Sequence, residues 1–232
     1  MNNICKLKES GEFESDTLTF EDIQGMILED KKYGKLVPVN GVITYAIINR
    51  TSDMPENLIT KAINLSLSAW GFEIPVKFKR ISGIDEAMIT YQFTNQEDDP
   101  NLTKPTLAYA YYPIVSKELR PIIVINDSYP WTIHGNPISM HEIDPDHYPP
   151  DTPAKGNTID LDQVLRHENG HKLGLPHTMT RDNIMFGNYG FMSEHLQEQD
   201  IRRMQAKYGK RNILSKMYTA LIAWYKVYSD QL

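Results

Sequence analysis

Three histidines and a glutamate lie within "HENGHKLGLPH", residues 167–177, and their types and spacing are suited to metal chemistry. His167 and His171 are four positions apart, so on a helix their side chains project from one face, one turn apart. Two imidazoles so placed can reach one Zn²⁺ at about 2.0–2.1 Å each. Gly174 then allows the chain to leave the helix, and His177 returns as a third ligand. The segment therefore predicts a zinc site with three histidine ligands.

The position of Glu168 separates a catalytic zinc site from a structural one. Structural sites are usually closed by four protein ligands, often cysteines, whereas three histidines leave one position for water. Zinc lowers the pKa of such a water from about 15.7 to about 7. Glu168, beside His167 in the pattern H-E-x-x-H, would accept the proton and pass it to the departing amine. The alternative is that these are ordinary polar residues of a helix, but the added offsets of Gly174 and His177 favour a catalytic zinc.

The composition of the chain limits the domain size and the partners that are expected for a protein with this site. The chain has 232 residues, 41% of them hydrophobic, which suits one large domain or a domain with an extension. The net charge is −6 and Lys and Arg form no stripe, so nucleic acid is not an expected partner. Cys5 is the single cysteine, which excludes an intramolecular disulfide. We find no signal peptide and no apolar run of about 18 residues, so no transmembrane helix is predicted and the localisation stays open.

The periodicity of apolar residues predicts the elements that must position the site. The long helix that carries the histidines is expected to begin near Thr158 with Asn157 as its N-cap. A later helix is expected over 193–209, with Ser193 as cap and Gly209 as stop. Further helices are predicted over 19–30 and 54–70, and strands over 41–48, 76–81, 87–93, 106–112 and 121–126. The order of strand, helix, strands and helices argues for an α+β fold, or an α/β sheet with helices packed on it.

With these segments in place, the chain resembles the matrixins, the matrix-metallopeptidase-like group of metzincin zinc peptidases. The motif "HENGHKLGLPH", the segments "ITYAI", "AINLSLSAWGFEIPVKFKRI", "LAYAYYP" and "DNIMFG", and "LQEQDIRRMQAKYG" carry the resemblance over about residues 41–209. It implies an α+β metzincin fold: a twisted, mostly parallel sheet with an antiparallel edge strand, packed by long helices. It also implies a catalytic domain over 37–209, an N-terminal extension over 1–36 that could be a pro-segment, and a C-terminal amphipathic helix over 210–232.

The resemblance implies a role for each matching residue. His167, His171 and His177 would bind one catalytic Zn²⁺, Glu168 would be the base, and Met185 would form the Met-turn below the metal. The substrate contacts would be Leu107, Ala108, Tyr109 and Ala110 of the edge strand, and Tyr189 of the pocket wall. The expected function is a zinc endopeptidase for extended protein or peptide substrates, with an extracellular role if exported. The alternatives are a non-catalytic binding or structural protein stapled by zinc, and an amidohydrolase of a non-protein amide.

The chain also departs from the matrixin pattern. Tyr109 stands where the family has a histidine for a second, structural zinc, so that zinc is not expected. Ca²⁺ is conceivable, but Asp127 alone supports it. Gly187 stands where a pocket proline is frequent, which predicts a more mobile wall. Cys5 lacks the Pro-Arg-Cys-Gly pattern of the latency cysteine, so a thiol latch is not favoured.

Two further segments have no counterpart in the resemblance. The long 133–157 loop contains histidines and acidic residues, which we interpret as a solvated loop rather than a second metal site: His134, His141, Glu142, Asp144, Asp146 and His147. The tail carries an apolar stripe over 213–228, which predicts packing on its own domain. The alternative is a surface for a partner or for self-association.

Overall fold

A computed structural model describes the backbone of residues 4–8, 20–103, 105–113, 122–133, 159–189, 192–218 and 221. Side chains are described for the same residues except 4–8 and 20–23. Asn157 and the histidines and acidic residues predicted in the 133–157 loop lie outside the described residues.

Six strands form one mixed sheet in the order β1-β5-β6-β4-β2-β3. Their bounds are β1 Ile4–Lys8, β2 Val42–Ile47, β3 Lys77–Arg80, β4 Ile89–Thr94, β5 Thr106–Tyr111 and β6 Ile122–Asn126. Neighbouring strands among β2, β3, β4 and β6 pair in parallel, whereas β5 pairs antiparallel with β6. The predicted mostly parallel sheet with one antiparallel strand is confirmed. However, β5 is not the edge of the described sheet, because β1 pairs with its outer side.

The sheet is accompanied by the helices α1 Phe20–Asp30, α2 Glu56–Glu73, α3 Leu161–Lys172 and α4 Glu198–Tyr208. A 3-10 turn, Lys31–Tyr33, follows α1. Helices α2 and α3 contribute Trp70, Val164 and Leu165 to the main core, together with the inward side chains of the strands. Within the described part of the chain, no helix has the length and apolar character needed to cross a membrane.

The two faces of β5 border different clusters. Ala108 and Ala110 belong to the main core, whereas Tyr109 packs with Leu102 and Val124 in a second, smaller cluster. Because successive side chains of a strand point to opposite faces, this alternation is the expected one. The Tyr109 hydroxyl donates to Asp99 Oδ2 at 2.5 Å. The residue in place of the family's zinc-binding histidine therefore ends in a hydrogen bond to a carboxylate.

Helix α3 begins later than the sequence predicted. Two short strands, β7 Trp131–Thr132 and β8 Ile159–Asp160, pair in parallel immediately before it. Since residues 159–160 are extended, the helix begins at Leu161 rather than near Thr158. Asp160 is its N-cap, and its Oδ1 accepts from the Asp162 N–H at 3.3 Å. The predicted role of Asn157 as cap was wrong.

Helix α4 also begins later, at Glu198 rather than near Ser193. Gln197 is the N-cap, and it forms a capping box with Asp200, in which each side chain binds the other residue's backbone N–H. Ser193 instead accepts from the His195 N–H at 3.0 Å, in the turn before the helix. Gly209 ends the helix as predicted, with a φ of 85°.

The described part of the C-terminal tail contacts the domain through Arg211 and Lys216, which bind Val76 and Glu73, but not through its apolar stripe. Residues 213–218 are helical, and the large apolar side chains of the stripe are exposed to between 61% and 71%: Ile213, Leu214, Met217, Tyr218 and Leu221. For these residues the prediction of packing on their own domain was wrong. The apolar residues beyond 221 lie outside the described range.

Candidate metal centre and substrate cleft

Buried hydrogen bonds fix helix α3 on the core. The Trp70 indole N–H of α2 donates to the Arg166 carbonyl at 2.9 Å. The Tyr91 hydroxyl of β4 donates to Asn169 Oδ1 at 2.8 Å, and Asn169 Nδ2 donates to Ser66 Oγ at 2.9 Å. These bonds join α3 to α2 and to the centre of the sheet. The residues on its other side are thus held in a fixed position.

The three predicted histidines converge on one point. His167 Nε2 lies 2.9 Å from His171 Nε2 and 3.1 Å from His177 Nε2. A tetrahedral Zn²⁺ with bonds of about 2.0–2.1 Å separates neighbouring ligand atoms by about 3.3 Å. Among the side chains that the structure describes, this triad is the one group of three placed to hold a metal ion. Its geometry fits zinc with a small outward adjustment.

Hydrogen bonds on the far side of two rings settle which nitrogen is available to a metal. His167 Nδ1 lies 2.6 Å from the Ile184 carbonyl, and His171 Nδ1 lies 2.6 Å from the Leu175 carbonyl. A carbonyl only accepts, so each Nδ1 carries the proton and each Nε2 keeps a lone pair. Lone pairs that face each other at this distance repel unless a cation lies between them. The hydrogen bonds therefore prepare Nε2 atoms that are ready to bind a metal.

Burial keeps the imidazoles neutral. The pKa values of His167 and His171 lie well below the usual range, because burial disfavours the charged rings and the neighbouring histidines add repulsion. Burial, assisted by the positive charge of Arg203, lowers the pKa of His177 to about 4. Metal ligands must be deprotonated. The site therefore offers three neutral imidazoles at neutral pH.

The turn after α3 depends on Gly174. Its φ is 99°, in the region that residues with a side chain rarely adopt. A Cβ added here would meet the Gly34 carbonyl oxygen at 2.1 Å, so the space is closed as well. The turn brings the Leu175 N–H to the Gly170 carbonyl and the Leu175 carbonyl to His171. Gly174 thus shapes the loop that orients one ligand and leads to the next.

Met185 lies in the core against the histidine helix. Its side chain is fully buried, and a Cβ added at Gly170 would meet the Met185 sulfur at 2.2 Å. Asp200 holds this turn, because its carboxylate accepts from the Ile184 N–H at 2.9 Å and from the Met185 N–H at 3.4 Å. The carbonyl of the same Ile184 accepts from His167 Nδ1. Asp200 therefore helps to orient the His167 ring through the backbone of Ile184. Sequence reasoning missed this role, although an acid at the third position of a helix was a signal for a cap.

Glu168 is fully buried on α3. Neither of its oxygens has a hydrogen-bond partner among the residues that the structure describes. Burial raises its pKa well above the usual value, and the nearby Lys172 ammonium opposes that rise. A buried carboxyl group without a partner is costly to the fold, which indicates a purpose outside folding. It follows His167 directly on α3, where a proton acceptor beside a metal would lie.

Lys172 is a buried cation that the sequence reasoning did not single out. Its ammonium donates to the Tyr111 carbonyl at the end of β5, at 2.7 Å. The next residue, Tyr112, sets its ring edge-on to His171, with centroids 5.3 Å apart. Burial lowers the pKa of Lys172 to about 7, and Glu168 opposes that shift. Through this hydrogen bond the end of β5 is tied to the helix of the triad.

Gly187 lies close to His177, and Tyr189 follows two residues later. The Tyr189 hydroxyl accepts from the Asp160 N–H at 2.9 Å, which ties it to the start of α3. Burial raises the pKa of Tyr189 to about 12. A Cβ on Gly187 would meet His177 ring atoms at 3.0 Å. Gly187, for which the sequence predicted a more mobile pocket wall, therefore lets the backbone approach His177 closely.

Arg203 and Asp30 form a buried ion pair behind the third ligand. Arg203 donates to both Asp30 oxygens, at 2.9 and 2.7 Å, and to the Pro176 carbonyl at 3.0 Å. Both side chains are 1% exposed. The pair joins α1 to α4 and to the residue before His177. No sequence signal pointed to it, because the partners are 173 positions apart.

The structure thus brings the three histidines together, with Glu168 buried on the same helix and Met185 packed against Gly170 of that helix. Strand β5, with Leu107, Ala108, Tyr109 and Ala110, packs against α3. The outer side of β5, where an extended peptide was expected, is paired with β1.

The mixed sheet, the helices packed on it and the three converging histidines agree with a metzincin fold. The sequence profile of the matrixins matches residues 38–209, and the chain belongs to the matrixin family. It is 30% identical to the cat (Felis catus) matrilysin over 180 residues, which cover 75% of this chain and 60% of the relative. It is 27% identical to human (Homo sapiens) matrix metalloproteinase-20 over 177 residues, 74% of this chain and 32% of the relative.

A third relative is also much longer than the part of it that this chain matches. Mouse (Mus musculus) stromelysin-1 is 29% identical over 174 residues, 72% of this chain and 32% of the relative. The matched part of the chain therefore spans between about a third and three fifths of these proteins. At the level of the family, the classification is hydrolase, protease and zinc metalloprotease.

Proposed function

We propose that this chain is a zinc-dependent endopeptidase that hydrolyses peptide bonds in extended polypeptides. One observation carries the proposal: Glu168 is buried without a hydrogen-bond partner among the described residues, and it follows His167, whose Nε2 lies 2.9 Å from that of His171 and 3.1 Å from that of His177. A zinc ion that only stabilised the fold would need the histidines but not this carboxylate. The non-catalytic alternative is for that reason not favoured.

His167, His171 and His177 would hold the zinc through Nε2. When bound, zinc supplies a Lewis acid that polarises a carbonyl group and makes water acidic near neutral pH. The chain's own part is to keep the rings neutral, which burial supports, and to orient them, which the Ile184 and Leu175 carbonyls support. The Met185 side chain would form the apolar floor of the centre.

Glu168 would move the proton. Its raised pKa makes the carboxylate a better proton acceptor than an exposed glutamate, so it would take a proton from the attacking water. The protonated Glu168 Oε would then donate to the nitrogen of the leaving amine. Because the site is buried, bulk water does not compete for this proton.

Strand β5 would align the substrate, with backbone groups of Leu107, Ala108, Tyr109 and Ala110 pairing with an extended peptide. The attachment of its end to α3 through Lys172 supports this role. Tyr189 would form one wall of the pocket for the residue after the scissile bond. Backbone pairing accepts many sequences, so we expect that pocket to set most of the preference. Protein or peptide substrates met outside the cell, if the chain is exported, fit this chemistry.

The test of this proposal separates catalysis from metal binding. The Glu168→Ala variant should keep about one zinc per chain but lose cleavage of unfolded protein substrates by 10²-fold or more, as expected for removal of a general base. Glu97→Gln, a change at an exposed glutamate, is the control and should leave both unchanged. A chelator or a hydroxamate should block the parent chain. Equal cleavage by Glu168→Ala and the parent would refute the assignment.

A further inference from the structure

His177 differs from the other two histidines of the candidate metal centre, because it lies on a loop and not on a helix. Helix α3 ends at Lys172, and the chain turns at Gly174 before it reaches His177. His167 and His171 are carried by the helix, and the Nδ1 of each ring binds a backbone carbonyl. The position of His177 must therefore be set by the groups that hold the loop on either side of it.

Helix α4 holds the loop immediately before His177. Arg203 Nη2 donates to the Pro176 carbonyl at 3.0 Å. That carbonyl and the His177 N–H belong to one planar peptide unit, so a bond to the carbonyl restricts where the His177 Cα can lie. Arg203 is 1% exposed and its guanidinium also donates to both Asp30 oxygens, which leaves the side chain little freedom to move.

Helix α4 also holds the loop immediately after His177. Thr178 Oγ1 donates to Gln199 Oε1 at 3.3 Å, and the Thr178 N–H donates to the Met185 carbonyl at 2.9 Å. Gln199 and Arg203 are four positions apart on the helix, so their side chains project from the same face. One face of α4 thus holds the chain on both sides of the third histidine.

Helix α1 lies against this face of α4, although it precedes the residues that the matrixin profile matches. Asp30 pairs with Arg203, and Met26 Sδ lies 2.9 Å from Gln199 Nε2. Met26 and Asp30 are again four positions apart, about one helical turn. Each of the two α4 side chains that hold the loop therefore has a partner on α1.

We propose that Arg203 is a positioning residue for the third zinc ligand, and that Asp30 of α1 holds its guanidinium in place. The inference rests on the proposed function in one respect, because it takes His177 as a ligand of the zinc. A ligand that is already in place loses less conformational entropy on binding than one that must first be ordered. Removal of groups that orient a metal ligand typically lowers metal affinity by about 10–100-fold. We expect a loss of that size when Arg203 no longer holds Pro176.

Three variants separate the positioning of His177 from the stability of the fold. Arg203→Met removes the bond to Pro176 and leaves Asp30 buried without its partner, so it should lower both zinc affinity and stability. The double variant Asp30→Asn/Arg203→Met removes both charges and should recover part of the stability, but not the bond to Pro176. Leu102→Ala is the matched control. Leu102 belongs to the smaller cluster on the other face of β5, so its truncation should lower stability without a change in the loop.

Zinc binding and stability are measured on the same full-length proteins. Competition with a chelator gives the zinc dissociation constant, and urea unfolding gives the stability of each metal-free protein. The visible absorption of the Co²⁺-loaded proteins reports the geometry of the ligands. Both Arg203 variants should bind zinc about 10–100-fold more weakly than the parent and show an altered Co²⁺ spectrum. Leu102→Ala should bind zinc within about twofold of the parent, because distant sites act independently.

The outcomes separate this inference from the proposed function, since none of the three measurements uses a substrate. A double variant that binds zinc as tightly as the parent would overturn the inference. An equal loss of zinc affinity in Leu102→Ala and in the double variant would also overturn it, because the effect would then follow from lost stability alone. If both Arg203 variants lose zinc affinity as expected but the zinc-loaded parent cleaves nothing, the positioning role stands and the proposed peptidase function is wrong.

Discussion

Replacing Asp30 by Asn should destabilise the whole domain, although the residue belongs to the N-terminal segment. The change removes one charge of a pair in which both side chains are 1% exposed and two N–O distances are 2.9 and 2.7 Å. Arg203 would remain buried with its charge uncompensated. Removal of one partner from a buried pair typically costs about 3–5 kcal/mol. For a domain of this size that corresponds to a fall in Tm of about 10 °C.

The assay is urea unfolding of the parent and three variants. Glu29→Gln, the neighbouring exposed residue with a long contact of 3.7 Å to Lys32, is the control and should change the free energy of unfolding by less than about 0.5 kcal/mol. The double variant Asp30→Asn/Arg203→Met removes both charges and should recover part of the loss. A loss below about 1 kcal/mol for Asp30→Asn would refute the reasoning, because α1 would then not be an integral part of the domain.

Three further predictions test the site and its supports. In the same urea assay, Gly174→Ala should lower the free energy of unfolding by several kcal/mol, because the added Cβ meets the Gly34 carbonyl oxygen at 2.1 Å. The control is Gly41→Ala, at a glycine with a φ of 75° and nothing within 4 Å of an added Cβ. It should lower the free energy of unfolding by only about 1 kcal/mol, through backbone strain. Tyr109→Phe should lower stability by about 1–2 kcal/mol through loss of the bond to Asp99, and Tyr111→Phe, the control on the same strand, should have a smaller effect. In the metal-free protein, His177 should contribute stability that grows as the pH rises from about 4 to 6.5, because the unfolded chain then still holds a proton on His177 that the folded chain has released. His177→Leu should therefore reduce the slope of stability against pH in this range while His195→Gln, at an exposed histidine, should not, and an equal slope in the parent and both variants would contradict the assignment.

The catalytic motif could be predicted because its geometry is local. His167 and His171 are four positions apart, which is about one helical turn, and Gly174 marks the end of the helix without reference to any other part of the chain. The helix ends were less accurate, since Asp160 and Gln197 take the cap positions that Asn157 and Ser193 were expected to fill. Several residues near each helix start can serve as caps, and the choice depends on what the preceding chain pairs with.

The contacts that the sequence did not predict are all long-range. Strand β1 has no apolar alternation, and its pairing with β5 depends on backbone groups about a hundred positions away. Asp30, Arg203 and Lys172 resemble surface residues in the sequence but are buried, because each finds its partner only in the folded chain. The apolar stripe that begins at Leu214 was expected to be buried, yet its described residues are exposed. Periodicity identifies a stripe but does not identify what covers it.

Cleavage of a peptide library tests the central claim most directly. The zinc-loaded chain would be incubated with the library, and the products would be identified by mass spectrometry together with the zinc content of the protein. The account predicts hydrolysis of internal peptide bonds, with a preference concentrated at the residue after the scissile bond and altered by Tyr189→Ala. It also predicts no products from the same chain carrying Glu168→Ala at about one zinc per chain. An intact library in the presence of fully zinc-loaded protein would contradict the account.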